Sequence, residues 1–319
     1  TYTFEDASRD GRRIDITVFY PALLPEGSTG NKLLAGTNRD PDLGDAPYPL
    51  ILTGADSGSY IFESHLASHG FVMGIVRSPE SSDFGGFLVI DMSRDLLYAL
   101  DQIAYHPPEG LEGVIDSDQV GVSGFSGDGD VALALSGVRV NPEFYLSQCE
   151  QAPAMEPPLP GWWIEIICSL AEHWDALVSY VGQEITTSND GLWQAMTDER
   201  IRAVVPMAPS GWWLYGEQGL GSADRPVLIL WGTADDLALY EAEAAHFFDH
   251  LGTPDRYMVS FIGSGHGMPF NPEQRKRMNH FATAFFGTYL QGKSEYRDYY
   301  SEDFISQFDD LAWGVYKGE

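Results

Sequence analysis

Three short segments of this 319-residue chain carry residue types that could assemble a nucleophilic hydrolysis site. The first, residues 118–133, reads as an apolar strand, a glycine-flanked serine and then a helix. A serine oxygen becomes an effective nucleophile only beside a base, and that base must be oriented by a third group. Ser126 stands where the strand should end and the helix begin. A sharp turn there would expose Oγ, require small neighbours and aim the first helical amides at a developing oxyanion. The spacing departs from G-x-S-x-G: counted from Gly124 the fifth position is Asp128, with Gly129 one residue late, and counted from Gly121 the serine is Ser123. Ser126 is preferred because Ser123 falls inside the strand. The other two segments are Gly232-Thr233-Ala234-Asp235-Asp236 and Gly263-Ser264-Gly265-His266-Gly267, each following an apolar run. His266 is the expected base. Asp235 is the expected acid that fixes its tautomer, with Asp236 as the alternative. Two backbone amides should receive the oxyanion, one from Gly127 and one from residues 53–58, where Ala55 is favoured.

These groups can act together only if a scaffold brings three turns to a common rim. Short apolar runs at 50–52, 71–76, 120–122, 203–207, 227–231 and 257–262 suit strands covered on both faces. Helix-like stretches alternate with them, three ending at Gly70, Gly137 and Gly252. This alternation predicts an α/β chain with a mostly parallel sheet. Pro206 is awkward inside a central strand. An Asp10-Gly11 turn followed by alternating Ile14, Ile16 and Val18 predicts an antiparallel N-terminal edge, and residues 24–47 read as a surface loop. Residues 139–200 break the alternation with a proline cluster and four tryptophans. They are expected to form an inserted cap, leaving 1–138 and 201–319 as the core. Trp162 and Trp163 in the cap, and Trp212 and Trp213 beyond a strand end, are expected to bind substrate. Cys149 and Cys168 fall in the same insertion and are expected to be bonded, which fits a secreted or periplasmic setting, whereas two reduced thiols would fit the cytoplasm.

Composition narrows the partners. With 47 Asp and Glu against 18 Lys and Arg, the formal net charge is −29. That argues against nucleic acid and against an anionic membrane surface. No run of about 18 apolar residues predicts a membrane span. No phosphate-cradling loop or zinc-like Cys/His spacing occurs, and neither metal nor cofactor is expected. Asp128 and Asp130, flanking Gly129, are read as solvated carboxylates at a helix N-terminus rather than as a calcium site. The remaining histidines, at 65, 69, 106, 173, 246, 250 and 280, are read as surface or capping residues.

Several stretches resemble a known family: Asp6-Ala7-Ser8-Arg9-Asp10-Gly11-Arg12, Val18-Phe19-Tyr20-Pro21, Ser68-His69-Gly70-Phe71-Val72, Gly232-Thr233-Ala234-Asp235-Asp236 and Gly265-His266. They are similar to the predicted dienelactone hydrolases, relatives of platelet-activating-factor acetylhydrolases and bacterial polyester hydrolases. The resemblance runs over roughly residues 3–290 and implies an α/β-hydrolase fold and cofactor-free hydrolysis of carboxylic esters. Two positions depart from the family pattern: Asp128 replaces a glycine, and Thr53-Gly54 stands where His-Gly is common. The expected activity is that of a serine esterase acting on apolar or aromatic small-molecule or polymeric esters. The competing expectation is a non-catalytic relative that binds a partner through its cap.

Overall fold

The apolar runs become strands because each can be buried on both faces. The computed structural model describes residues 1–23, 39–54, 61–78, 88–156 and 158–318. Its strands are β1 (Tyr2–Asp6), β2 (Arg12–Phe19), β3 (Tyr48–Thr53), β4 (Val72–Arg77), β5 (Ile115–Phe125), β6 (Ile201–Met207), β7 (Val227–Gly232), β8 (Arg256–Phe261) and β9 (Leu311–Trp313). Every residue of β3 and of β7 is buried. The helices are α1 (Ile61–Ser68), α2 (Leu88–Tyr105), α3 (Gly127–Ala134), α4 (Pro142–Gln151), α5 (Gly161–Ile167), α6 (Trp174–Val181), α7 (Gln183–Thr186), α8 (Gly216–Leu220), α9 (Tyr240–His250), α10 (Pro272–Leu290) and α11 (Glu302–Ile305).

The strands form one nine-stranded sheet in the order β1-β2-β4-β3-β5-β6-β7-β8-β9. The pairs from β4 through β8 are parallel, and β1–β2, β2–β4 and β8–β9 are antiparallel. The chain is therefore α/β with a mostly parallel sheet and an antiparallel N-terminal edge, as its patterning predicts. The matching antiparallel strand at the opposite edge, β9, has no counterpart in that patterning, because three residues are too few to show a period. Pro206 stays in β6 opposite Gly124, and the ladder between β6 and β7 is paired at Val204 and Met207 on either side of it. A residue without an N–H cannot complete that ladder.

The N-terminal hairpin is tied down by charge. Asp95 of α2 is fully buried; Arg9 reaches it at 2.6 Å and Arg12 at 2.9 Å. Removing one partner from such a cluster would strand buried charge. Residues 24–38 of the expected surface loop lie outside the described residues.

The insertion between α3 and β6 does not build a separate core. Its buried residues Tyr145, Trp163, Leu170, Leu177, Val181 and Trp193 join the same apolar cluster as the sheet. Polar contacts secure it from several sides. Tyr180 donates to Asp91 of α2 at 2.8 Å and Thr197 to the Leu135 carbonyl at 2.6 Å, while Arg139 and Asp190, both within the insertion, form a forked pair. Within it, Cys149 of α4 is bonded to Cys168 at the end of α5, with a sequence separation of 19. Closing a loop of this size stabilises by about 3 kcal/mol in the chain-entropy description. The double variant Cys149→Ala/Cys168→Ala should lose roughly 2–4 kcal/mol in urea unfolding, and thiol titration of the unfolded, unreduced wild type should find no free thiol.

Candidate active site

The centre of the site is the turn from β5 into α3. Phe125 ends the strand and Gly127 opens the helix, so Ser126 must reverse the chain alone. It does so at φ 58° and ψ −126°, a region that non-glycine residues seldom occupy. Its amide donates to the Met207 carbonyl at 2.9 Å, and its own carbonyl accepts from Gly129 N–H at 2.7 Å. The tight turn explains the shifted glycine pattern. A Cβ at Gly124 would lie 2.0 Å from the Asp128 carbonyl oxygen, and one at Gly129 would lie 2.7 Å from the Met207 carbonyl oxygen. Glycine is thus required at 124 and 129, whereas 128 accepts a side chain. Gly127, as the first helical residue, has an N–H with no acceptor inside the helix. Ser123 lies within β5, buried, and its Oγ has no hydrogen-bond partner among the described residues.

The loops after β7 and β8 supply the partners. His266 Nε2 is 3.0 Å from Ser126 Oγ, and His266 Nδ1 is 2.8 Å from Asp235 Oδ2. Asp235 is buried, and its other oxygen accepts from the amides of Leu237 and Ala238, each at 3.0 Å. Asp236 is exposed. The two loops are laced together: Ala234 N–H donates to the Ser264 carbonyl at 2.9 Å, and Gly263 N–H to Thr233 Oγ1 at 2.9 Å. The position of Asp235 relative to His266 is therefore fixed by contacts between the two loops. Of the expected oxyanion donors, Gly127 opens α3 and Ala55 lies outside the described residues.

A small pocket adjoins this hydrogen-bonded chain at the carboxyl ends of β3, β5 and β6. Phe62, Phe125, Met207, Pro269, Phe270 and Met278 give it apolar walls. Thr53, Glu63, Asp128, Arg275 and Asn279 add polar groups. The Phe125 ring lies 4.8 Å from that of His266 and 6.3 Å from that of Phe270, so the pocket and the histidine share a wall. Phe270 and Leu237 are both more than half exposed at the same rim.

The four tryptophans expected to bind substrate do not line this pocket. Trp163 and Trp213 are buried edge-to-face at 5.0 Å, and Trp212 is buried and stacked on His246 at 3.9 Å. Trp162 is 42% exposed on α5. Three of the four thus sit in packing contacts, all joining the insertion to the segment after β6 through Trp163–Trp213 and Phe144–Trp212. Large flat side chains bury the most area there. Glu63, Arg275 and Asn279 belong to no motif of the sequence. Their only signal is a polar type at an apolar position, as Asn279 shows between Met278 and Phe281 on the buried face of α10.

Asp128 and Asp130 are buried, which corrects the reading of both as solvated carboxylates. The Asp128 carboxylate lies against Gly54, where a Cβ would fall 2.1 Å from Oδ1. Asp130 turns the other way and accepts from Ser210 N–H and Ser210 Oγ, holding the segment after β6. Glu243 of α9, fully buried, accepts from the next amide, Gly211 N–H, at 3.0 Å. Burial pushes the Asp130 carboxyl well above the ordinary range; the Ser210 hydrogen bonds oppose this and the charge of Asp128 adds to it. Burial likewise raises Glu243 well above its ordinary value, against the Gly211 amide and with the help of Asp130 and Asp235.

The chain matches no protein-family model and no curated protein.

The two raised carboxyls predict a pH dependence of stability. Both are favoured in their neutral form by the fold. Their contribution is whole below the ordinary carboxyl range and is lost as pH rises through the raised values. Asp130→Asn mimics the neutral group and can keep the Ser210 contacts. Urea unfolding should find it close to wild type near pH 4 and more stable than wild type at pH 8. An equal difference at both pH values would contradict the burial argument.

Proposed function

We propose that this chain is a serine hydrolase of carboxylic esters with an α/β-hydrolase architecture. The observation that carries the reading is the hydrogen-bonded chain from Ser126 Oγ through His266 to the buried Asp235. The three residues come from the ends of three strands, in the chain order serine, acid, histidine. The strand order and the resemblance to the predicted dienelactone hydrolases support the same reading.

In this mechanism His266 Nε2 takes the proton of Ser126 as Oγ attacks the ester carbonyl carbon. Asp235 accepts from Nδ1–H and stabilises the imidazolium that forms. The oxyanion of the tetrahedral intermediate receives the Gly127 amide, and Ala55 is the proposed second donor. The imidazolium then gives its proton to the departing alcohol, leaving Ser126 acylated. Water repeats the sequence: His266 deprotonates it, it attacks the acyl carbon, and Ser126 leaves with the proton returned. Each proton moves among these side chains, the substrate and water, so the scheme calls for no cofactor. The pocket beside Phe125 receives one arm of the ester, and its apolar walls favour an uncharged group there.

Turnover of p-nitrophenyl esters of rising chain length tests the reading. Ser126→Ala should keep the fold, by circular dichroism, and lose hydrolysis of every ester, while Ser123→Ala stays active. Asp235→Asn should lower kcat by about 10³–10⁴, as loss of an orienting carboxylate does, and Asp236→Asn should remain within about twofold because its side chain is exposed. A wild type that turns over none of the esters would point to a binding protein on a hydrolase scaffold.

A further inference from the structure

The pocket beside Ser126 holds hydrogen-bonding capacity that the proton chain does not use. Asn279 lines it and is only 5% exposed, yet its Oδ1 has no hydrogen-bond partner among the described residues. Arg275 stands one helical turn earlier on α10 and lines the same pocket. Its guanidinium has a single long hydrogen bond, 3.4 Å from Nη1 to the Pro269 carbonyl, and makes no ion pair among the described residues. A guanidinium carries five N–H donors, and a half-turn of the Asn279 carboxamide presents either its oxygen or its NH₂. A buried polar group without a partner is costly. Oδ1 itself cannot pair with a carbonyl oxygen; with the carboxamide turned so that its NH₂ takes that place, an acceptor oxygen on a ligand pairs the group, and an analogue lacking that oxygen is rejected.

On the ester-hydrolase reading, we propose that Arg275 and Asn279 form a subsite for a second, uncharged carbonyl oxygen in the substrate. The substrate class is then a diester, keto ester or amido ester rather than a plain alkyl ester. Both side chains can donate to a carbonyl oxygen from the same face of α10. The apolar walls of Phe62, Phe125, Met207 and Met278 fit the carbon chain between the two carbonyls. Charge argues for a neutral group over a carboxylate. Glu63 and Asp128 line the same pocket, and the chain as a whole carries −29. One arginine beside two buried acids gives an anion little net attraction.

Two series of esters of matched length test the subsite. The first comprises the p-nitrophenyl esters of heptanoate, monomethyl glutarate and adipate. The second comprises acetates of 1-hexanol, 6-hydroxy-2-hexanone and 6-hydroxyhexanoate, followed in a pH-stat. In at least one series the neutral carbonyl compound should exceed the alkyl compound about tenfold in kcat/KM, chiefly through KM, and should exceed the carboxylate by as much or more. Asn279→Leu and Arg275→Met should each bring that ratio towards one. The ratio is informative whatever each variant's absolute rate, and Arg275→Met alters a half-buried position if Asn279→Leu folds poorly. A wild-type ratio near one in both series overturns the proposal while leaving ester hydrolysis intact, as does a preference that survives both substitutions. A preference for the carboxylate overturns the neutral subsite. Absence of turnover with every ester sinks the hydrolase reading itself, and this proposal with it.

Discussion

One backbone turn governs the rest of the site. Ser126 occupies a strained conformation of a kind that costs on the order of 1–3 kcal/mol, and the surrounding structure leaves it no other. Its amide is held by the Met207 carbonyl of the neighbouring strand. Gly124 and Gly129 allow strand and helix to approach where a methyl group would collide with backbone. The consequence is geometric: Oγ stands clear of both elements, and a histidine arriving from the end of β8 can reach it at 3.0 Å. Relaxing the turn would free the strain but lower Oγ into the strand–helix junction.

Around that turn, a strongly acidic chain uses carboxyl groups as internal acceptors. Asp235 receives two amides and the His266 ring, Asp130 receives Ser210, and Glu243 receives Gly211. The same chemical group serves different ends because its partners differ. Asp235 faces an imidazole that can carry a compensating positive charge. Asp130 and Glu243 face neutral donors only, so burial drives both towards the protonated state. Together the latter two grip consecutive residues of the segment between β6 and Trp212. The packing of the insertion against Trp212 and Trp213 thus rests on groups whose charge depends on pH.

The periodic part of the fold was legible in the sequence because burial on two faces demands unbroken apolar runs, and the central strands provide them. Ser126, Asp235 and His266 were legible for a related reason: each follows such a run directly, so the strand ends bring the three side chains together. Other features left no comparable trace. Strand β9 is three residues long. The glycine at 129 looked displaced from its motif because the motif counts residues, whereas the constraint is a distance to the Met207 carbonyl. Acidic residues at a helix start are usually solvated, but the first turn of α3 is buried, and both carboxylates with it. A tryptophan's size suits a ligand cleft or a core equally, and most of these went to packing. The pocket's polar residues come from α1, α3, α10 and the end of β3, elements far apart in sequence that only the tertiary fold assembles.

The aromatic packing has an optical consequence. Of eight tryptophans, five lie in close ring contacts that link the insertion to the sheet or knit it internally. These are Trp163 with Trp213, Trp174 with Trp193, and Trp212 with Phe144 and His246. Indoles fixed at such distances and angles couple their electronic transitions. The near-ultraviolet dichroism of this protein is therefore weighted towards the insertion and its seam. Trp231, in contact with Tyr240 and Phe247, lies in the sheet instead. The insertion could then loosen with a large change in that spectrum while the far-ultraviolet signal of the sheet and its helices barely moved.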